Sequence, residues 1–385
     1  MRLTFPAIAA AIALLLVVAP AQAQEPFETK ASEALLIDAE TGAVLFARNP
    51  DRPVPPAALA KLMTMEVVFH AIEEGRVNLD DSFVVSENAW RWGGAPSGGS
   101  TMFAALKSSI RLEDLVQGVI VQSANDGCII IAEGMAGDEE KFAALMNERA
   151  QAIGLTASTF RNSSGLPAEG QLVTMRDLVR LAMHLWRAYP QFYRYYAQPE
   201  FTWNKIRQRN RNPLLTMGIG ADGLGTGYTD ESGYGIVGSA SGGGRRVFVA
   251  MSGMESDRQR ADEARKLLEW GMKAFSEVRL FVPDEIVGTA AVYGGEKAAV
   301  PLRADGAVNV LVPAADRSQV EARIVYDGPV AAPVEQGARI GVLQVWLGDT
   351  LSQEVPLYAA ETVALGAIHQ RAMGAVAELL TGWMR

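Results

Sequence analysis

Three short segments hold residues whose types and spacing suit acyl transfer. That chemistry needs a nucleophile, a base to take its proton, donors for a developing oxyanion, and a grip on the substrate's charged end. In Pro56-Ala57-Ala58-Leu59-Ala60-Lys61-Leu62-Met63-Thr64, positions 58 and 61 are three apart, and residues so spaced share a helix face. A side chain at 58 and the Lys61 amine would therefore enter one pocket. In Ser123-Ala124-Asn125 a hydroxyl and a carboxamide reach the same cavity if a turn faces both inward. In Gly223-Leu224-Gly225-Thr226-Gly227-Tyr228 the glycines let a substrate backbone lie close to a strand.

The surrounding pattern supplies elements to position these residues. Apolar runs at 34–37 and 43–47 flank Asp38-Ala39-Glu40-Thr41-Gly42, which is a hairpin signal. A proline-rich connection at 50–56 leads into an apolar helix over 58–74, closed by Gly75. The stretch 87–101, with Trp90, Trp92 and several glycines, reads as a loop. Helical periodicity over 112–121 and 125–135 leaves Ser123 in the turn between two helices. Phe142, Leu145, Met146, Ala150 and Ile153 form a further helical stripe, and Thr174 with Asp177 resembles a capping box opening a helix over 175–188. Runs at 234–241 and 245–252 around Gly242-Gly243-Gly244 read as a second hairpin, followed by a charged helix over 257–275.

From about 280 to 358 the composition turns to Val, Ala and Gly in short alternating runs, the mark of a small all-β domain. The segment 362–385 has a helical pattern with Ile368, Met373, Val376, Leu379, Leu380 and Trp383 apolar, and only Arg371 and Arg385 cationic. At the other end, Arg2, an apolar run over 8–18 and Ala21-Gln22-Ala23 match an export signal with a cleavage site. That run is short for a bilayer span of about 20 residues. The expected organisation is a signal at 1–23, a large domain at 24–279, a small β-domain at 280–360 and a terminal helix at 361–385.

Composition narrows the function classes. A net charge of −9 with no basic stretch argues against nucleic-acid binding. The lone Cys128 excludes an intrachain disulfide and reads as core, and His70, His184 and His369 lack ligand spacing, so no metal or other cofactor is expected.

In order and with their flanks, the three segments resemble the S-x-x-K, S-x-N and K-T-G elements of penicillin-binding proteins and class A β-lactamases. The segments PPAALAKLMT, VQSANDGC, Asn162-Ser163-Ser164-Gly165-Leu166-Pro167 and GLGTGYT are most similar to low-molecular-weight D-alanyl-D-alanine carboxypeptidases. The resemblance runs from about residue 25 to the end. It implies an α+β fold: an antiparallel five-stranded sheet flanked by helices, with the site where sheet and helices meet, then a small β-sandwich-like domain and an amphipathic C-terminal helix. It implies Lys61 as general base, Ser123 as proton shuttle and Asn125 as holder of the peptide amide. Thr226, beside Gly227 and assisted by Arg246, would bind the terminal carboxylate. The N–H groups of Ala58 and Tyr228 would form the oxyanion hole.

Two positions depart from the pattern. Ala58 stands where the family has its acyl-accepting serine, and Gly225 where it has a lysine. Loss of a nucleophile costs about 10⁶ in turnover, roughly 8 kcal/mol on the barrier. Loss of the cation costs about 1.5–3 kcal/mol of charge-assisted hydrogen bonding. The leading expectation is a periplasmic homologue that binds stem peptides ending in D-Ala-D-Ala, and β-lactams non-covalently, with little hydrolysis. The amphipathic terminal helix would give peripheral contact with the outer face of the cytoplasmic membrane. An active carboxypeptidase with a displaced nucleophile and a non-catalytic cell-wall scaffold are the alternatives.

Overall fold

The computed structural model describes residues 27–314 and 320–367. In chain order the first domain contains β1 (Glu33–Asp38), β2 (Val44–Arg48), α1 (Lys61–Glu73), β3 (Ser82–Val84), β4 (Ser109–Arg111), α2 (Leu112–Gln122), α3 (Asn125–Ala136) and α4 (Glu139–Ala152). It continues with α5 (Met175–Ala188), α6 (Pro190–Tyr193), β5 (Glu200–Trp203), β6 (Ile206–Arg209), β7 (Ala221–Thr229), β8 (Gly233–Gly242), β9 (Arg245–Met254) and α7 (Asp257–Lys273). Strands β10 to β17 follow between Phe275 and Ala359, ending with β17 (Thr350–Ala359).

The main sheet has the order β2-β1-β9-β8-β7, with every pairing antiparallel. Successive strand side chains point to opposite faces, so a strand buried on both sides must be apolar throughout. In β1, Leu35 joins the core under the helices α1 to α5, whereas Ala34 and Leu36 join the core under α7. In β9, Phe248 and Ala250 face the first core, and Val247, Val249 and Met251 the second. The two cores sandwich the sheet between helical layers. Helix α1 is buried almost all round and runs through the first core.

That burial encloses a carboxylate. Glu66 has no exposed side chain, and Arg149 of α4 binds it through Nη2 at 2.7 Å and Nε at 3.1 Å. Tyr189 Oη donates to it at 3.3 Å, and His184 Nε2 lies 3.5 Å away. Burial pushes the Glu66 carboxyl up, but His184 and Arg149 overcome this and hold it below the usual carboxylate range.

Several boundaries differ from the sequence expectation. The helix over 58–74 opens as a 3₁₀ turn, Ala57–Ala60, before α1. The loop at 87–101 holds a π-turn (Ala89–Gly93) whose Trp90 packs on the core while Trp92 is exposed. Sheet structure of the second domain begins at Phe275, inside the expected helix over 257–275. At the far end, Val363 and Leu365 form β-bridges with Val334 and Gly295, so the helix does not start at 362. The rest of that expected helix, and the export signal, lie outside the described residues.

The second domain has a six-stranded sheet and a two-stranded one around its own apolar core, including Val300, Leu302, Val310 and Leu357. It meets the first domain where Ser352 Oγ of β17 donates to the Val44 carbonyl at 2.9 Å.

Replacing Glu66 with Gln leaves the part-buried Arg149 without its counter-ion and is expected to destabilise the protein by about 2–4 kcal/mol. The native contribution is fully present above an unfolded-state pKa of about 4.3 and is lost as pH falls through the lower folded-state value. Urea unfolding of both forms across that acidic range should therefore show the gap closing as pH drops.

Candidate active site

The cleft forms where the α1 end, the α2–α3 turn and strand β7 converge. Its floor is the 3₁₀ turn that carries Ala58 into α1. That turn is set by Ala57, whose φ of +50° is unusual for a residue with a Cβ. Gly165 holds it from below. A Cβ at Gly165 would lie 1.8 Å from the Ala57 carbonyl oxygen, and its φ is +79°. Only glycine permits this approach.

Lys61 begins α1 and is 6% exposed. Its Nζ donates to Asn125 Oδ1 at 2.8 Å and to the Ser164 carbonyl at 2.6 Å. Two distant segments, the α3 start and the 162–165 turn, are thereby fixed to one nitrogen. Thr64, one turn on, adds a 2.6 Å bond to the Ser163 carbonyl. Burial holds the Lys61 amine below the ordinary lysine value, and nearby Cys128 and Asp126 offset only part of that. Cys128 is itself fully buried, which pushes its thiol up to about 12. It is a core residue.

Ser123 ends α2 in the left-handed region, with φ of +58°. This turn brings Ser123 and Asn125 to the same cleft as Lys61 and Ala58. Asp126, which the sequence reading passed over, locks the arrangement. Fully buried, it accepts from Thr101 Oγ1 at 2.6 Å and from the backbone N–H groups of Met102 and Ala104, both at 3.0 Å. The Asn125 N–H donates to the Ser100 carbonyl at 2.8 Å. The 87–101 segment is thus tied to the start of α3. The available signal was an acidic residue in the first turn of a helix directly after Asn125.

Strand β7 closes the cleft from the sheet side with Thr226, Gly227 and Tyr228. A Cβ at Gly227 would come within 3.1 Å of the Ala58 nitrogen, so the glycine seats the strand against the 3₁₀ turn. At Gly225 an added Cβ would meet nothing within 4 Å. This position faces open space beside Ser123 and Thr226.

Arg246 is a correction. Its guanidinium is held by Asp222 at 2.8 and 2.7 Å and donates to Ser239 Oγ at 2.6 Å, under Trp186 and Tyr193. It does not line the cleft. Its place on β9 cannot reveal that a carboxylate two strands away, on β7, already binds it. The cation that does line the cleft, alongside Gly225, Thr226 and Ser123, is Arg211. Among the described residues no carboxylate pairs with it. Arg260 supplies a second cation at the Tyr228 end, 5.6 Å over the Tyr234 ring, and its burial brings it down to about 10.

The whole is a cleft of 640 Å³ with a buried amine, a hydroxyl, a carboxamide and cations, and a methyl group at position 58. Replacing Gly165 with Ala should drive the 3₁₀ turn away from the 162–165 turn. The expected cost is about 1–3 kcal/mol, read as a lower urea midpoint with an unchanged m-value.

Two family models match the sequence. One, described as D-alanyl-D-alanine carboxypeptidase, covers residues 19–255, and the other, the C-terminal domain of penicillin-binding protein 5, covers residues 275–365. The chain is 36% identical over 372 residues to the D-alanyl-D-alanine carboxypeptidase DacC of Escherichia coli, covering 94% of this chain and 93% of that one. It is 34% identical over 352 residues to DacD of the same organism, covering 90% of each. Penicillin-binding protein 5 from Haemophilus influenzae superposes with a TM-score of 0.72 at 33% identity, covering 88% of this chain and 99% of that one. Penicillin-binding protein D2 from Listeria monocytogenes, in its ampicillin-bound form, gives a TM-score of 0.56 at 28% identity, covering 65% of this chain and 100% of that one.

Proposed function

The chain belongs to the D-alanyl-D-alanine carboxypeptidase family, and from that premise we propose that it binds stem peptides ending in D-Ala-D-Ala without forming an acyl-enzyme. The observation that carries this reading is the contrast at the cleft floor. Lys61 bonds Asn125 and lines one cleft with Ser123, groups that could serve as base, amide holder and relay, while position 58 presents only a Cβ.

Each remaining group has a binding task. The Asn125 carboxamide is oriented by Lys61 and faces the cleft, where it meets a peptide amide. Thr226 and Arg211 hold the terminal carboxylate, and Arg211 takes over the charge that Gly225 no longer brings. An arginine fork suits this task because it pairs with a carboxylate through two parallel bonds. Strand β7 is an outer strand of the sheet, so its free edge offers backbone groups to an extended peptide. β-Lactams would occupy the same cleft reversibly, since no oxygen at 58 is present to open the ring. The export-type sequence at 1–23 supports action outside the cytoplasm, in the periplasm where such peptides occur.

The experiment is incubation with a fluorescent penicillin followed by a denaturing gel. The natural protein should show no covalent band, whereas Ala58→Ser, which adds one oxygen beside a preassembled base, should acquire one. A band on the natural protein would overturn the reading, as would an unlabelled but folded Ala58→Ser protein. Separately, Arg211→Ala should weaken binding of a diacetyl-Lys-D-Ala-D-Ala peptide by about tenfold or more, the loss expected for one charge-assisted contact. Calorimetric titration would report it.

A further inference from the structure

A second cavity, of 610 Å³, lies between the two domains and shares no lining residue with the cleft at Ala58. One wall is a stripe of α5. Arg176, Arg180, His184 and Arg187 fall on one face because steps of three and four residues superpose on a helix. The opposite wall is the start of β17, including Leu351, Gln353 and Glu354.

The charges here do not cancel. Arg176 is neutralised by Asp51, through bonds of 2.6 and 2.9 Å. Arg180 and Arg187 donate only to backbone carbonyls, of Gly154 and Ala39, and among the described residues neither has a carboxylate partner. Among the described residues that line the cavity, the acidic group is Glu354, and its carboxylate accepts from Gln344 at 2.8 Å. Two uncompensated guanidiniums therefore face one carboxylate, in a protein whose net charge is −9. The two arginines are seven residues apart on the helix, about 10 Å along its axis at 1.5 Å per residue. Between and opposite them Met183, Val44 and Leu351 supply apolar surface among polar neighbours that include Thr41, Ser352 and Gln353.

We infer that the inter-domain cavity binds an organic bis-anion, its two phosphate or carboxylate groups on Arg180 and Arg187 and its carbon skeleton across Met183, Val44 and Leu351. Guanidinium pairs with either kind of oxyanion through parallel bonds. The volume is within the range of small-molecule sites. The inference is independent of peptide binding in the other cleft.

Calorimetric titration of the full chain at low salt tests it, with suberate and fructose 1,6-bisphosphate as the two bis-anions and inorganic phosphate as the single-anion reference. At least one bis-anion should bind saturably at one per chain and more tightly than phosphate, and which one binds separates a carboxylate from a phosphate ligand. The exposed double change Arg180→Ala with Arg187→Ala should weaken that binding by about tenfold or more. Gln353→Glu, on the opposite domain, should also weaken it, and Arg258→Ala, remote and 94% exposed, should not. Failure of both bis-anions to saturate, or equal affinity in the double variant, would overturn the inference. An unchanged affinity in Gln353→Glu would remove the second domain from the site.

Discussion

A buried amine organises this structure. Lys61 is largely buried at the cleft wall, so its nitrogen must satisfy its hydrogen bonds inside the protein or leave the amine costly to bury. It does so with one carboxamide oxygen from α3 and one backbone carbonyl from the 162–165 turn. Those two partners lie 64 and 103 residues away in sequence. One side chain thus fixes two distant segments to the start of α1, and the cleft is the space the three enclose. Burial that disfavours the ammonium is also what would make the amine a base.

The sheet explains how such a residue can be held. Because β1, β8 and β9 are apolar on both faces, helical layers cover both sides, and α1 is left fully inside the larger layer. A helix in that position can begin with a buried lysine only if loops deliver polar partners to it. Asp126 and Gly165 make those deliveries possible, the first by tying down the 101–104 segment and the second by allowing the turn to press against Ala57.

Much of this was legible in the residues. Apolar runs and glycine turns marked β1, β2, β8 and β9, and periodicity marked α2, α3 and α4, because apolar spacing directly reflects which faces are covered. The Thr174 cap was legible for the same local reason: its hydroxyl accepts from the Asp177 N–H at 3.1 Å. Convergence of Lys61, Ser123, Asn125 and Thr226 came from the family resemblance, not from spacing, since no local pattern states which distant loops meet. What stayed hidden was pairwise and non-local. The capture of Arg246 by Asp222, the arrival of Arg211 in its stead and the Asp126 tether each depend on contacts across strands and loops. The short hairpin β5–β6 was missed because four-residue strands carry too little pattern.

The account depends most directly on the state of the Lys61 nitrogen, and an NMR titration can read it. With lysine labelled at Cε and the Lys61 signal assigned through Lys61→Arg, the amine should lose its proton at a pH clearly below the ordinary lysine value of about 10.4. A midpoint at or above that value would mean that Lys61 is not the desolvated hub described here, and the reading of the cleft built on it would fail.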